Sequence, residues 1–327
     1  MAENTAETGL PAAGATHEVT HTVTVAAPAK AVYDLVADVT AWPQVFGPTV
    51  HAERLEPVDG QERIRLWAFA NGEVRNWTSL RQLDPAGLRV SFRQERSSSP
   101  VAAMGGAWRL TEQADGTTLV ELDHFWRAVD EDDEQAVRWI EQACDRNSTA
   151  ELAALRAAAE LGDTAGELSF SFEDTEEMPG ADPAAVYEFL HRSDLWPQRL
   201  PHVSRLDLTE DEDGVQTMEM DTLAADGSVH TTKSVRLCFP DRIVYKQTGL
   251  PPVMTAHTGQ WLFTPVDGGV RVTSRHSVVL DPAALATAFG PDTDYAGARA
   301  AVRNALGTNS RTTLRHARAH ATPGENL

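Results

Sequence analysis

The sequence predicts an α+β protein of two tandem domains, each a curved antiparallel sheet wrapped around a long C-terminal helix and enclosing a cavity. Three observations carry this expectation. The chain of 327 residues suits two domains, given roughly 100–200 residues for each. Landmark residues recur in the same order at a nearly constant offset. Within each copy the order reads strand, helix, several strands, long helix, and the only element able to cover one face of such a sheet is the long helix.

The repeat is explicit. Ala31-Val32-Tyr33-Asp34-Leu35 leads to Trp42-Pro43-Gln44, and Ala185-Val186-Tyr187-Glu188-Phe189 leads to Trp196-Pro197-Gln198, 154 positions later. Gly72-Glu73-Val74 followed by Ser79 and Arg81 answers Gly227-Ser228-Val229 followed by Ser234 and Arg236, at 155. Trp108 matches Trp261 at 153, and His124 matches His276 at 152. Asn147-Ser148 and Asn309-Ser310 open the second half of each terminal helical stretch. A period this long means duplicated domains, not a solenoid. The expected boundaries are a flexible tail at 1–16, domain 1 at 17–160, a linker at 161–168, domain 2 at 169–320 and a closing tail at 321–327. The linker is read from Gly162-Asp163-Thr164-Ala165-Gly166, which breaks the preceding helix.

In the first copy, Glu18–Ala26 alternates Val19, His21, Val23 and Val25 as a strand does. Pro28 suits a first helical turn, and 29–38 follows with Val32, Leu35 and Val36 on one face. Trp42-Pro43 is expected to end that helix. Strand-like runs follow at 50–56, 62–70, 73–83, 88–94, 104–112 and 118–128. They are separated by turn signals at Asp59-Gly60, Asn71-Gly72, Asp84-Pro85 and Asp115-Gly116. Residues 130–160 read as one helix with Val137, Ile140, Cys144, Leu152 and Leu155 at helical spacing. The acidic run Asp130–Glu134 suits its positive N-terminal end.

Composition narrows the function. A net charge of −20 sets nucleic acid and anionic membrane aside as partners. No apolar run is long enough for a membrane span, and the N-terminus lacks the pattern of a signal peptide; a cytoplasmic protein is expected. The two cysteines, Cys144 and Cys238, form neither a metal cluster nor a disulfide framework. No phosphate-binding glycine pattern and no nucleophile elbow occurs, so neither a metal nor a cofactor is expected.

The strand at 73–83 places Trp77, Ser79 and Arg81 on one face. Arg does not suit a pure core face, and Trp does not suit a pure solvent face. The mixture points to a wet pocket or to a surface strand with a stray Trp. The second copy repeats Ser234 and Arg236 but has Thr232 where the first has Trp77. Trp108 and Trp261 suit core or cavity wall. His124 and His276 are expected near strand ends. Asn147-Ser148-Thr149 places polar groups mid-helix, facing either solvent or a pocket.

Taken in order, Ala41-Trp42-Pro43-Gln44-Val45-Phe46, the Asn71-Gly72 turn with Trp77, Ser79 and Arg81, the stretch from Pro100 to Trp108, and Asn147-Ser148-Thr149 resemble the aromatase/cyclases of bacterial type II polyketide synthases. The likeness runs over about 16–321 and is to the two-domain form, with the START-like, Bet v 1-like helix-grip fold. Thr49 stands near where single-domain relatives can carry a pocket Tyr. The resemblance implies a linear, ketoreduced poly-β-ketone on an acyl carrier protein, with the minimal synthase and ketoreductase as transient partners. It implies aldol closure of the first ring between C7 and C12, then dehydration to an arene. On this reading Arg81 and Ser79, with Arg236 and Ser234 in the second copy, are the catalytic candidates. Trp77, Trp108, Phe46, Met104, His124, Thr232 and Trp261 are the substrate-binding candidates. Arg81 acts as electrophile and anchor, since guanidinium stays protonated. Substrate enolate, water and His124 all remain candidates for the base. Arg93 and Arg96, beside Ser97–Ser99, are candidates for docking an acidic carrier protein. The alternative function is a non-catalytic carrier of a hydrophobic ligand or of the polyketide, which needs an apolar pocket and little else.

Overall fold

The computed structural model describes residues 17–223 and 227–322. The chain divides into two compact units between Gly162 and Asp163. The tail at 1–16 and residues 323–327 lie outside the described residues.

Unit 1 starts with β1 (His17–Val25) and α1 (Ala29–Ala37), which follows Pro28 and buries Val32, Tyr33 and Val36. Trp42-Pro43 does not simply end this helix. After a 3-10 turn at Val39–Ala41, it opens a second short helix, α2 (Trp42–Val45), with Pro in its first turn. First-turn amides have no partner within a helix, so the missing N–H of proline costs nothing there. Six strands follow: β2 (Thr49–Val58), β3 (Gln61–Ala70), β4 (Glu73–Asp84), β5 (Arg89–Arg96), β6 (Val101–Glu112) and β7 (Thr118–Ala128). Asp59-Gly60 and Asn71-Gly72 each place both residues at positive φ, the conformation that a tight hairpin turn demands. The sheet is antiparallel, in the order β1-β7-β6-β5-β4-β3-β2.

Helix α3 (Glu134–Glu160) begins at Asp133, whose carboxylate accepts from the Gln135 and Ala136 amides. The acidic run therefore leads into the helix and only its last residue lies inside. Ile140, Cys144, Ser148, Leu152, Leu155 and Ala159 make one buried stripe. The stripe packs on β1 and β7, and the core gathers Trp42, Phe46, Trp108, Leu122, Leu152 and Leu155.

Unit 2 opens on a short helix, α4 (Thr164–Leu168), inside the stretch read as a linker, with Leu168 fully buried. Then come β8 (Ser169–Pro179), α5 (Pro183–His191), a 3-10 turn at Ser193–Leu195 and α6 (Trp196–Arg199). The sheet continues with β9 (Val203–Glu210), β10 (Val215–Leu223), β11 (Val229–Phe239), β12 (Arg242–Gly249), β13 (Met254–Val266) and β14 (Gly269–Leu280). Its order, β8-β14-β13-β12-β11-β10-β9, repeats that of unit 1. A short helix α7 (Leu285–Phe289) then precedes the long α8 (Tyr295–Ala321). This insertion explains why Asn147 and Asn309 are 162 apart while the strand landmarks keep their shorter offset. Both units are helix-grip domains.

Candidate active site

In each unit the Trp-Pro turn and the Ser-x-Arg strand meet. The Trp42 indole N–H donates to the Val36 carbonyl at 3.2 Å. Arg81 lies over the Trp42 ring, 5.2 Å from its centre, and its Nη2 donates to the carbonyls of Val36 (3.2 Å) and Ala37 (2.8 Å). These carbonyls sit at the C-terminal end of α1, where backbone acceptors are unpaired and the helix dipole is negative. Arg81 Nε lies 3.3 Å from Glu62. Unit 2 does the same: the Trp196 indole N–H donates to the Phe189 carbonyl at 3.1 Å, Arg236 stacks 5.3 Å over Trp196, and its Nη2 donates to the Leu190 carbonyl. Both guanidiniums are almost fully buried. Burial first of all lowers both pKa values, to about 10 for Arg81, with Glu62 pulling the other way. Arg81 at that value is still protonated at neutral pH.

Unit 1 holds a cavity of about 150 Å³. Its walls come from β3 to β7 and α3. Trp42, Trp77, Trp108 and Met104 line it, as expected for three of them, and Arg81 is part of the lining. Ser98, Ser99 and Arg75 also belong to the lining; Arg75 is paired with Glu73 and reaches toward the Trp139 ring. One expected wall residue and one catalytic candidate lie elsewhere. Phe46 is buried behind the wall, stacked on Trp108 with ring centres 6.0 Å apart and edge-on to Trp42. Ser79 is buried on the strand between Trp77 and Arg81 but is not part of the lining; the pairing of β4 with β5 slips just before it.

His124 is mid-strand in β7, not near its end, and faces the cavity. Its Nδ1 lies 3.4 Å from the Ser148 hydroxyl. Burial, assisted by nearby His21, lowers its pKa to about 4, so the ring is neutral at pH 7. Asn147 and Ser148 line the pocket, and the Asn147 amide also donates to the Phe69 carbonyl at 2.8 Å; Thr149 points outward. One turn further along α3 stands Glu151, also in the lining, with its carboxyl pushed up to about 7 by burial. The sequence reading passed over Glu151. The signal was there: it interrupts, at helical spacing, the stripe that runs from Ile140 through Cys144 and Ser148 to Leu155.

The expected residues of unit 2 sit in a different setting. Sheet register makes the correspondence exact in position: Gly106 is flanked across the ladder by Phe92 and His124, and Gly259 by Tyr245 and His276. Met104 and His257 each stand two residues earlier. Around His276 the groups close on one another. Its Nδ1 is 3.0 Å from both the Tyr245 hydroxyl and His257 Nε2, and its Nε2 is 2.7 Å from Ser310 and 3.1 Å from Ser274. Thr232, Ser234 and Trp261 are buried in this unit. A Cβ on Gly259 would run into the Tyr245 ring, which is why that strand position is glycine.

Comparison with known proteins identifies the fold. A family model described as polyketide cyclase/dehydrase and lipid transport matches residues 16–160, and a second of the same description matches 179–298. The chain is 48% identical to the actinorhodin polyketide synthase bifunctional cyclase/dehydratase of Streptomyces coelicolor, over 94% of this chain and 98% of that one. It is also 48% identical to the granaticin polyketide synthase bifunctional cyclase/dehydratase of Streptomyces violaceoruber, over 92% and 93%. The chain belongs to the two-domain aromatase/cyclases of type II polyketide synthases. The crystal structure of the di-domain ARO/CYC BexL from the BE-7585A pathway superposes with a TM-score of 0.82 at 50% identity, covering 95% of this aromatase/cyclase and all of BexL. No helix among the described residues of the aromatase/cyclase is long and apolar enough to cross a membrane.

Proposed function

We propose that unit 1 receives a ketoreduced poly-β-ketone tethered to an acyl carrier protein, closes its first ring between C7 and C12 by intramolecular aldol condensation, and removes water to give the arene. The observation that carries this reading is the cavity itself. Its walls are mostly apolar, yet it holds a neutral imidazole, a carboxyl and a fully buried guanidinium. The chemistry needs little more. Methylenes between two carbonyls are already acidic, so no metal or cofactor is required. The task is to fold a flexible chain so that the reacting carbons touch, and to stabilise the developing oxyanion.

Trp77, Trp108 and Met104 shape the folded chain. Arg81 uses Nη2 to hold α1, while its Nη1 is buried without a hydrogen-bond partner. Nη1 is the donor we assign to a substrate carbonyl. His124, neutral at working pH, is the base. Ser79 serves the strand that carries Arg81. Arg236 and Ser234 make the matching clamp of unit 2, which we read as support for the pair. The Arg93 and Arg96 side chains, close in sequence to the Ser98 and Ser99 rim, are offered to the acidic carrier protein in the cytoplasm, with the synthase and ketoreductase as passing partners. A ligand carrier would need only the apolar walls; the titratable groups inside favour the enzyme.

Reconstitution with the minimal synthase, the carrier protein and a ketoreductase tests this reading. Adding the protein should shift the products from a spontaneous mixture to one ring pattern with water lost. Identical product profiles with and without it would overturn the proposal.

A further inference from the structure

The two guanidinium clamps are alike where they hold their helices and unlike where they meet the neighbouring strand. Glu62 of β3 stands directly across the ladder from Arg81; at the same place in unit 2, Gln216 of β10 stands across from Arg236. The Glu62 carboxylate is shared. One oxygen accepts from Arg54 Nε at 2.8 Å, and the other lies 3.3 Å from Arg81 Nε without hydrogen-bond geometry. Arg54 also donates to Asp38 at 2.9 Å, at the C-terminal end of α1. Charges of alternating sign thus run from the buried Arg81 out to the half-exposed Arg54 and Asp38. Unit 2 is built otherwise. Leu208 takes the place of Arg54, and Arg192 that of Asp38. The fully buried Gln216 amide donates to the His191 carbonyl and to Glu210, and Glu210 also meets His191 Nε2 at 3.2 Å.

Holding the helix end does not need the carboxylate, because Arg236 bonds the Leu190 carbonyl and stacks on Trp196 with a neutral amide across from it. Glu62 therefore serves what Arg81 does besides, and Arg81 is part of the cavity lining. A guanidinium is a planar fork of donors. Fixing Nη2 at the carbonyls of Val36 and Ala37 leaves the fork free to swing about that nitrogen. A negative charge beside Nε stops the swing and so sets the direction of Nη1. Attraction between buried charges is strong and needs no hydrogen-bond angle. The other groups acting on Arg81 are Arg54, Asp38 and Tyr33. The first two belong to the same chain of charges, and the Tyr33 hydroxyl, kept protonated by burial, offers no charge of its own.

We propose that Glu62 is a positioning residue for ring closure: it aims Arg81 Nη1 at the substrate oxygen on which negative charge develops. The inference rests on the role of Arg81 argued above. In the aldol step the enolate carbon bonds to the carbonyl carbon, the pair of the C=O bond moves onto oxygen, and the alkoxide takes up the proton that the base removed. Nη1 donates to that oxygen throughout, and Glu62 touches neither the substrate nor the reacting atoms. A bond that strengthens only as charge develops acts on the transition state, so the loss of Glu62 falls on kcat and not on KM.

The test makes unit 1 resemble unit 2. Glu62→Gln is assayed as the full chain with the minimal synthase and ketoreductase, at varied concentrations of polyketide-loaded carrier protein. Its kcat for ring formation should fall about tenfold, less than the roughly 100-fold that follows outright loss of an oxyanion donor, while KM changes by less than about twofold. Hydrogen exchange of α1 peptides should match the wild type, since the clamp survives. Glu62→Asp keeps the charge and should turn over faster than Glu62→Gln. Wild-type kcat in Glu62→Gln overturns the proposal. So does a loss carried by KM, or a loss of α1 protection that accompanies the loss of rate, which would make Glu62 a structural group. Should the Gln variant fail to fold, Glu62→Asp decides by the same split: a lower kcat at unchanged KM and α1 protection supports positioning, and any other pattern overturns it. Arg81→Ala forming rings at the wild-type rate is a separate failure, that of the role given to Arg81; an inactive Arg81→Ala beside a fully active Glu62→Gln sinks the positioning role alone.

Discussion

At the heart of unit 1, His124 faces an open cavity with Ser148 3.4 Å away; at the same place in unit 2, His276 is tied to Tyr245, His257, Ser274 and Ser310. The sheet order, the helix and the arginine clamp are the same in both. What differs is the filling. Phe92, Met104 and Leu122 of unit 1 become Tyr245, His257 and Ser274 in unit 2, each at an equivalent ladder position. In unit 1 these apolar side chains line a cavity, whereas in unit 2 the polar ones hydrogen-bond to His276. The comparison also changes the meaning of the repeated Ser-x-Arg. Repetition in two diverged copies is explained by a job both copies share, and that job is holding the helix end with a guanidinium stacked over a Trp ring. On the function proposed above, catalysis is added in the copy whose arginine is seen in the lining of a cavity.

Removing each clamp gives the largest expected effects and tests that distinction most directly. Arg81→Ala and Arg236→Ala should each destabilise their own unit by about 3 kcal/mol, because charge-assisted bonds to buried carbonyls are broken. Chemical denaturation followed by peptide-resolved hydrogen exchange reads each unit separately. At a temperature where both variants are folded, Arg81→Ala should lose ring formation and Arg236→Ala should keep it. If Arg236→Ala alone stops ring formation while Arg81→Ala leaves it unchanged, the roles of the units are reversed. If neither variant shifts stability by as much as about 0.5 kcal/mol, the level of an ordinary surface change, the clamp is not what holds the repeat together.

The two histidines should respond in opposite senses, with smaller stability effects. His276→Ala strips the shared partner from a buried network, and stranded polar groups cost about 1–3 kcal/mol. His124→Ala enlarges a cavity already present and should change stability by less than about 1 kcal/mol, while slowing dehydration about 100-fold or more as a lost general base does. Thermal midpoints and water counts from the same preparations check both. A His124→Ala variant that is as destabilised as His276→Ala and fully active would show that the two interiors are not functionally different.

Most of the fold was legible in the sequence because local chemistry specifies it: Asn71-Gly72 can hardly be anything other than a hairpin turn, and Asp133 caps the helix that follows it. The cavity wall at Trp77 was legible from strand alternation, whereas Met104 followed only from the family resemblance and Trp108 suited core and wall equally. The clamp was not, because Arg81 bonds carbonyls 44 and 45 positions away in the chain, and no spacing rule reports that. The contrast between Met104 and His257 was hidden for the same reason: their equivalence appears only in the ladder register. Phe46 was misplaced because an aromatic beside a Trp suits a wall and a core equally well. Glu151 was legible as an acid within an apolar stripe, but on a surface helix that pattern is usually read as a solvated face.

The smallest effect, a difference in acid sensitivity, probes the two interiors without mutation. In unit 2, burial first of all lowers His276 to about 4 and His257 to about 3 from an ordinary 6.5. The unfolded chain therefore takes up protons near pH 6.5 that the folded unit refuses, and stability falls as pH drops below that value. In unit 1, His124 acts in the same direction, lowered to about 4. Glu151 opposes it: raised by burial from 4.5 to about 7, it keeps a proton in the folded state that the unfolded chain releases, so its contribution grows as pH falls from 7 toward 4.5. Between pH 7 and 5 the two groups of unit 1 offset each other, whereas the two histidines of unit 2 add. Acidification over that range should loosen β14 and α8 more than β7 and α3, as read by hydrogen exchange on their peptides. Equal loosening would mean that the interiors do not differ in the way their buried groups indicate. Glu151→Gln sharpens the comparison: with the opposing carboxyl gone, unit 1 should become acid-sensitive in the same direction as unit 2.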